Sequence, residues 1–141
     1  MAQSVEFFFD YASPFSYLAD TQIEQIAQTT GATIRYCPVL LGGIFKATGG
    51  QPPMQVMIPP KQQHMMVDMQ RWIQHYDIPF QLNPAFPVNT LLAMRTAVAA
   101  QQSGVFVAFH RAVFTAMWVD GVNVGDPDAF ATVLRGAGPV S

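Results

Sequence analysis

The sequence predicts an α/β fold that opens with a strand, a helix and a second strand and then continues as a series of helices. The first strand is the apolar, aromatic run Val5 to Phe9, which is too short for a helix. A helix then starts at Ser13 and Pro14, because proline suits the first helical position and apolar residues follow at helical spacing. A second short strand alternates from Thr33 to Cys37. Two strands joined by one helix are expected to be parallel, with a right-handed crossover.

The rest of the chain reads as a loop followed by helices. Residues 38–60 are rich in glycine and proline, which predicts an ordered loop or linker, with a short helix or 3₁₀ turn over Leu40–Lys46. Helices are predicted from Gln62, from Asn89 or Thr90 to about 102, from 105 to about 119, and from Pro127 to Gly136. The first of these carries an apolar stripe that is expected to be core: Met66, Met69, Trp72, Ile73 and Tyr76.

Composition restricts the function classes. The 141 residues are 50% hydrophobic and 11% charged, so the surplus apolar surface is expected to face a partner subunit, with a homodimer as the expectation, or a missing part of the fold. A net charge of −2 argues against a nucleic-acid partner. No apolar run is long enough for a membrane span, and the N-terminus has no secretory pattern. Since Cys37 has no second cysteine to pair with, we expect a cytoplasmic protein.

Ser13 has two readings from its position alone. A serine before a proline is a common helix N-cap, and this is the more frequent role. The same position also places a hydroxyl beside free backbone N–H groups and the positive end of the helix dipole, which would suit an anion. Asp10, at the end of the first strand, is expected to hold the turn, or alternatively to orient a hydroxyl or water.

The sequence gives little support for a metal site or a nucleotide-binding site. His64, His75 and His110 have no metal-ligand spacing, so no metal site is expected, and each reads as a surface or half-buried side chain. Phosphate-cradling and dinucleotide-binding glycine motifs are absent from the sequence.

Several segments resemble one known family. FDYASPFSYLA and PVLLGGIFKATGGQPP, with RWIQHYDIPF, FPVNTLLAMR and VFTAMWVDG further on, resemble the kappa-class glutathione transferases and the bacterial 2-hydroxychromene-2-carboxylate isomerases. These families belong to the thioredoxin-fold group that includes the DsbA-type oxidoreductases. In the redox members a Cys-x-x-Cys opens the first helix, whereas this chain has Ser13 and Ser16 there. Serine cannot exchange disulfides, so a disulfide oxidoreductase is excluded.

The resemblance implies a thioredoxin-like βαβ start with an inserted all-helical domain. Residues 1–58 would form the βαβ unit with an active-site loop, and residues 59–141 the helical domain. Family members continue into a β-β-α half that completes the sheet, and by this resemblance we expect the 141 residues to lack that half. The resemblance therefore also implies either an incomplete sheet or completion by another chain.

The resemblance also implies glutathione as cofactor, with the Ser13 hydroxyl donating to its thiolate. The implied glutathione contacts are Ser13, Pro14, Phe15, Lys46, Gly50 and Pro53, although Gly50 stands where the kappa enzymes have an asparagine. Asp10, Ser16 and Trp72 would line a pocket for a small aromatic substrate. Three functions stay open: a glutathione-dependent isomerase of the 2-hydroxychromene-2-carboxylate type, a kappa-like transferase or peroxidase, and a truncated, non-catalytic fragment that dimerises.

Overall fold

The strand β1 (Ser4–Phe9) lies parallel to β2 (Thr33–Pro38), and α1 (Pro14–Thr30) connects them. The computed structural model describes residues 3–137 of the chain. After β2 the chain forms five more α-helices and one 3₁₀ turn: α2 (Leu41–Thr48), the 3₁₀ turn (Pro53–Gln55), α3 (Pro59–Tyr76), α4 (Leu91–Gln102), α5 (Phe106–Trp118) and α6 (Pro127–Gly136). Within residues 3–137 no helix is both long and apolar enough to span a membrane.

The parallel pairing confirms the predicted β-α-β start. The register runs from Ser4 opposite Thr33 to Phe9 opposite Pro38. Side chains alternate between the two faces of a strand, so Phe7 and Phe9 share a face with Tyr36. On that face the Phe9 ring packs against both Phe7 and Tyr36, with centroid distances of 5.7 and 6.3 Å.

Both ends of α1 follow from local chemistry. Ser13 has an extended backbone, and its side chain accepts a hydrogen bond from the Ser16 N–H, as an N-cap should. Pro14 occupies the first helical position. At the other end Gly31 adopts φ 74°, a left-handed conformation that costs glycine little, and its N–H donates to the Ala27 carbonyl. The predicted start and stop of this helix are confirmed.

The third helix differs from its prediction in two ways. It begins at Pro59 rather than Gln62, because proline is tolerated in a first helical turn, where its missing N–H would have no partner anyway. The predicted core stripe is also wrong for most of its length. Met69 is buried, Met66, Ile73 and Tyr76 are half-buried, and Trp72 is 44% exposed, because few other elements pack over this part of α3.

The core is built around α5, which buries Phe109, Val113, Phe114, Met117 and Trp118. Buried residues of β1, of the turn after it and of α1 pack into the same cluster, and so do α4 and Phe130 of α6. The turn that carries Ser13 is therefore fixed on a rigid helical support. The boundary between residues 58 and 59 stays a prediction.

Candidate functional site

A cavity of about 460 Å³ opens beside the N-terminus of α1. Four segments surround it: the turn from Asp10 to Phe15, the start of α2, the 3₁₀ turn, and the segment before α4. Its walls are mostly apolar. The lining residues are Asp10, Ala12, Ser13, Pro14, Phe15, Leu40, Leu41, Gly42, Gly43, Phe45, Pro52, Pro53, Met54, Gln55, Phe86, Pro87, Val88, Asn89 and Thr90.

Ser13 is a half-buried residue of this lining. Its Oγ accepts the capping hydrogen bond from the Ser16 N–H at 3.1 Å. That bond uses an oxygen lone pair and leaves the hydroxyl hydrogen available, because a serine hydroxyl can donate and accept together. The capping role is therefore confirmed, and it holds the oxygen in place while the hydroxyl can still donate into the cavity.

Asp10 holds the turn that precedes Ser13. It is 1% exposed, and its carboxylate accepts three hydrogen bonds. Oδ1 accepts from the Ala12 N–H at 2.8 Å and from the Thr90 hydroxyl at 2.6 Å, and Oδ2 accepts from the Leu41 N–H at 2.8 Å. The carboxylate thus ties together the β1–α1 turn, the start of α2 and the start of α4. The prediction that Asp10 holds the turn is confirmed.

The bond to Asp10 explains how α4 begins. Thr90 is at the N-cap position, but its side chain makes no capping hydrogen bond, since its hydroxyl donates to Asp10. The Asn89 side chain instead accepts from the Leu91 N–H at 3.0 Å. Of the two residues at which the sequence predicts this helix to start, Asn89 therefore caps a backbone N–H and Thr90 binds Asp10.

Three other predicted site residues also line the cavity: Pro14, Phe15 and Pro53. Four do not: Ser16, Lys46, Gly50 and Trp72. Lys46 is exposed in the last turn of α2, and Gly50 lies just beyond that helix. The Ser16 hydroxyl accepts instead from the Asp10 N–H at 3.4 Å.

Trp72 lies in a separate place from the cavity. Its indole contacts the rings of His75 and Tyr76 on α3, with centroid distances of 5.8 and 5.4 Å. The aromatic walls of the cavity come instead from Phe15, Phe45 and Phe86. The sequence does not predict Phe45 and Phe86 as site residues, because only the tertiary fold brings their segments beside Ser13. The family resemblance of the segment FPVNTLLAMR is a sequence signal for this part of the site, because the segment contains Phe86 and Thr90.

His110 differs from its prediction as a surface or half-buried side chain. It is 4% exposed, and rings of Phe9, Phe106 and Phe114 surround it at centroid distances of 4.8 to 4.9 Å. Its Nε2 lies 2.6 Å from Asp20 Oδ1, and its Nδ1 lies 3.0 Å from the Tyr11 hydroxyl oxygen. These three side chains, of which Tyr11 and His110 are buried and Asp20 is partly buried, join α5 to α1 and to the turn before Ser13.

Burial is the main cause of a raised pKa at Tyr11, and the negative charges of Asp20 and Asp10 add to it. Burial and Asp20 also raise the pKa of Tyr17 and of Tyr36, where Glu24 adds to the shift and Arg111 opposes it. These hydroxyls stay protonated in the folded protein at neutral pH. The Tyr11 hydroxyl is hydrogen-bonded to His110, and the Tyr17 hydroxyl donates to the Pro79 carbonyl.

The lining favours an apolar or aromatic ligand. Among the described lining residues only Asp10 has an ionisable side chain, and both of its carboxylate oxygens already accept hydrogen bonds from the protein. A cavity volume near 460 Å³ falls within the range of small-molecule sites. Residues 3–137 hold no cluster of three or more His, Cys, Asp or Glu side chains that would fit a metal ion.

Comparison with known proteins gives consistent matches. A family model described as a DSBA-like thioredoxin domain matches residues 4–139. A 2-hydroxychromene-2-carboxylate isomerase of Pseudomonas putida is 36% identical over 84% of this chain and 57% of the relative. Glutathione S-transferase kappa 1 of Caenorhabditis elegans is 30% identical over 95% of this chain and 62% of the relative.

A solved structure of a 2-hydroxychromene-2-carboxylate isomerase has the same fold as this chain. It superposes with a TM-score of 0.79 at 31% sequence identity, and the match covers 96% of this chain and 66% of the other. The chain therefore spans roughly three fifths of the length of the relatives it matches.

Proposed function

Because the chain belongs to the DSBA-like thioredoxin-domain family, we propose that it acts as a glutathione-dependent isomerase of the 2-hydroxychromene-2-carboxylate type. The observation that carries the proposal is the Ser13 hydroxyl, which caps α1 and lines an apolar cavity. The names of its isomerase relatives and of the superposed structure support the choice of reaction.

Ser13 would hold the thiolate sulfur of glutathione through a hydrogen bond. Its oxygen is fixed by the Ser16 N–H, so the hydroxyl hydrogen has few directions left in which to point. A charge-assisted hydrogen bond, together with the positive end of the α1 dipole, stabilises the thiolate relative to the neutral thiol. When bound, glutathione would supply the sulfur nucleophile that adds reversibly to a conjugated substrate and leaves after the isomerisation.

The residues present fit the thiol end of glutathione better than its charged ends. Ser13, Pro14, Phe15 and Pro53 line the cavity and could contact the cysteinyl part. Lys46 and Gly50 lie outside the lining, so the proposal does not depend on them. The phenylalanines of the wall would pack against an aromatic substrate and exclude water from the reacting atoms.

A cytoplasmic homodimer is part of the same proposal. The low content of charged residues supports a partner surface, and the lone Cys37 supports a reducing compartment. Sedimentation equilibrium of the purified chain tests the oligomeric state.

Calorimetry with glutathione tests the proposed cofactor. The chain should bind glutathione, and Ser13→Ala should weaken binding, while Ser16→Ala should bind as the original chain does because Ser16 lies outside the lining. Binding that is equal in all three proteins would contradict the role of Ser13. Absence of binding to the original chain at millimolar glutathione would favour the alternative of a non-catalytic, dimerising fragment.

Product analysis separates the two enzymatic alternatives. With 2-hydroxychromene-2-carboxylate and glutathione, an isomerase releases the open-chain isomer and regenerates free glutathione. A kappa-like transferase would instead accumulate a glutathione adduct with an electrophile. Liquid chromatography with mass spectrometry distinguishes these results, because the isomer elutes separately at the mass of the substrate and the adduct is heavier by glutathione.

A further inference from the structure

Two adjacent glycines, Gly42 and Gly43, form part of the cavity wall contributed by α2. Glycine is among the poorest helix formers, and here two occur within an eight-residue helix that has no side-chain N-cap and no buried residue. The helix therefore carries a conformational cost that alanine at either position would reduce.

Backbone conformation does not explain these two glycines. Gly31, Gly49, Gly104 and Gly121 have φ values between 70° and 75°, which disfavour other residues. Gly42 and Gly43 lie inside a regular helix and have no such φ value. Any L-residue could adopt their conformation.

Packing within the protein does not explain them either. A Cβ built on Gly42 meets no atom within 4 Å, and one built on Gly43 meets Leu40 Cδ2 at 3.7 Å, an ordinary van der Waals contact. By contrast, a Cβ on Gly125 would lie 2.8 Å from the Asn89 carbonyl oxygen. The space beside Gly42 and Gly43 is left open by the protein, and both residues border the cavity.

We propose that Gly42 and Gly43 are specificity-determining residues: their missing side chains keep the α2 wall thin, so that a flat, aromatic ring system can lie against the helix. This inference rests on the proposed function and assigns the selection of planar substrates to these two positions. Phe15, Phe45 and Phe86 supply the other flat surfaces of the cavity. Aromatic faces favour a ring that can stack or pack edge-on against them.

The test measures binding of two bicyclic probes without glutathione, by isothermal titration calorimetry. Naphthalene-2-carboxylate is flat, whereas decahydronaphthalene-2-carboxylate has the same carbon skeleton and charge but is thicker. The original chain should bind the flat probe at least tenfold more tightly. Gly42→Ala, Gly43→Ala and the double variant should weaken binding of the flat probe, the double variant by roughly tenfold or more, as expected for added methyl groups in an apolar site.

Gly136→Ala is the matched control. Gly136 is also helical, a Cβ there meets nothing within 4 Å, and it lies outside this cavity. The control should leave probe binding unchanged. Thermal unfolding of all variants should show a midpoint equal to or above that of the original chain, which separates lost binding from lost folding.

Unchanged binding of the flat probe by the double variant would overturn the inference, and so would equal binding of both probes by the original chain. These outcomes are independent of the proposed reaction, because neither probe requires glutathione or turnover. If the glycine variants lose the flat probe while the original chain shows no glutathione-dependent isomerisation, the specificity role stands and the proposed function fails.

Discussion

The Thr90 hydroxyl donates a 2.6 Å hydrogen bond to Oδ1 of Asp10, 80 positions away in the chain. Both residues are almost fully buried and both line the cavity. The bond fixes the segment before α4 to the turn that presents Ser13. The β1–α1 turn and the segment before α4, which both line the cavity, are therefore held together by a direct hydrogen bond.

Thr90→Val should destabilise the protein, because it removes a donor to a buried carboxylate while keeping the shape of the side chain. The expected loss is about 1 to 3 kcal/mol in the free energy of unfolding. Urea unfolding followed by circular dichroism measures it. Thr96→Val is the control, since the Thr96 hydroxyl donates to the Leu92 carbonyl within the same helix, and it should change stability by less than about 0.5 kcal/mol. Equal effects of the two substitutions would contradict a special role for the Asp10 bond.

His110→Phe should also destabilise the fold, although it keeps a ring in the core. The substitution leaves the buried Tyr11 hydroxyl and the partly buried Asp20 carboxylate without their shared partner. A loss of about 2 to 4 kcal/mol is expected, by analogy with other broken buried polar networks. The measurement is again urea unfolding.

The control for His110 is His75→Phe, on the exposed surface of α3. It should be close to neutral. A His110→Phe variant as stable as the original chain would show that the hydrogen bonds of His110 to Tyr11 and Asp20 do not stabilise the fold.

Alkaline pH should destabilise the folded state through Tyr11. Its pKa is raised in the folded protein by burial and by the negative charges of Asp20 and Asp10, whereas the unfolded chain releases this proton near pH 10. The stabilisation is complete below the unfolded pKa and is lost as pH rises above it. One such group lowers the free energy of unfolding by about 1.4 kcal/mol per pH unit in that range.

Urea unfolding between pH 8 and 12 measures this slope. Tyr11→Phe should be less stable at neutral pH, because it loses the bond to His110, but its stability should fall less steeply above pH 10. Part of the slope should remain, since burial also raises the pKa of Tyr17 and Tyr36. Identical slopes in the two proteins would contradict the raised pKa of Tyr11.

The sequence predicts the β-α-β start and the caps of α1 well, because these features depend on neighbouring residues. An apolar run, a Ser-Pro pair and Gly31 are local signals for a strand, a helix start and a helix end. The links of Asp10 to Thr90 and of Tyr11 to His110 are different, since they join residues 80 and 99 positions apart. Only tertiary packing brings such pairs together.

The errors on α3 and at His110 have the same origin. Helical periodicity shows which side chains share a face, but it does not show whether another element covers that face. The pattern therefore predicts a core position for Trp72, which is exposed in the structure. A lone histidine gives no sign of the buried partners that Asp20 and Tyr11 provide. Of the proposed ligand contacts, Ser13 follows from a helix start that the sequence predicts, whereas Pro14, Phe15 and Pro53 follow from the family resemblance.

Two substitutions of Ser13 separate its capping role from its proposed role as a donor. Ser13→Asp should keep the cap, because a carboxylate also accepts from the Ser16 N–H, and stability should stay within about 0.5 kcal/mol of the original chain. An ionised aspartate has no hydrogen to donate and would repel a thiolate, so glutathione-dependent turnover should fall by roughly 100-fold or more.

Ser13→Thr keeps both functions and should retain most of the stability and the turnover. Urea unfolding and turnover measured on the same preparations give the comparison. Full turnover by the Asp variant would remove Ser13 from the reaction and leave it as a helix cap.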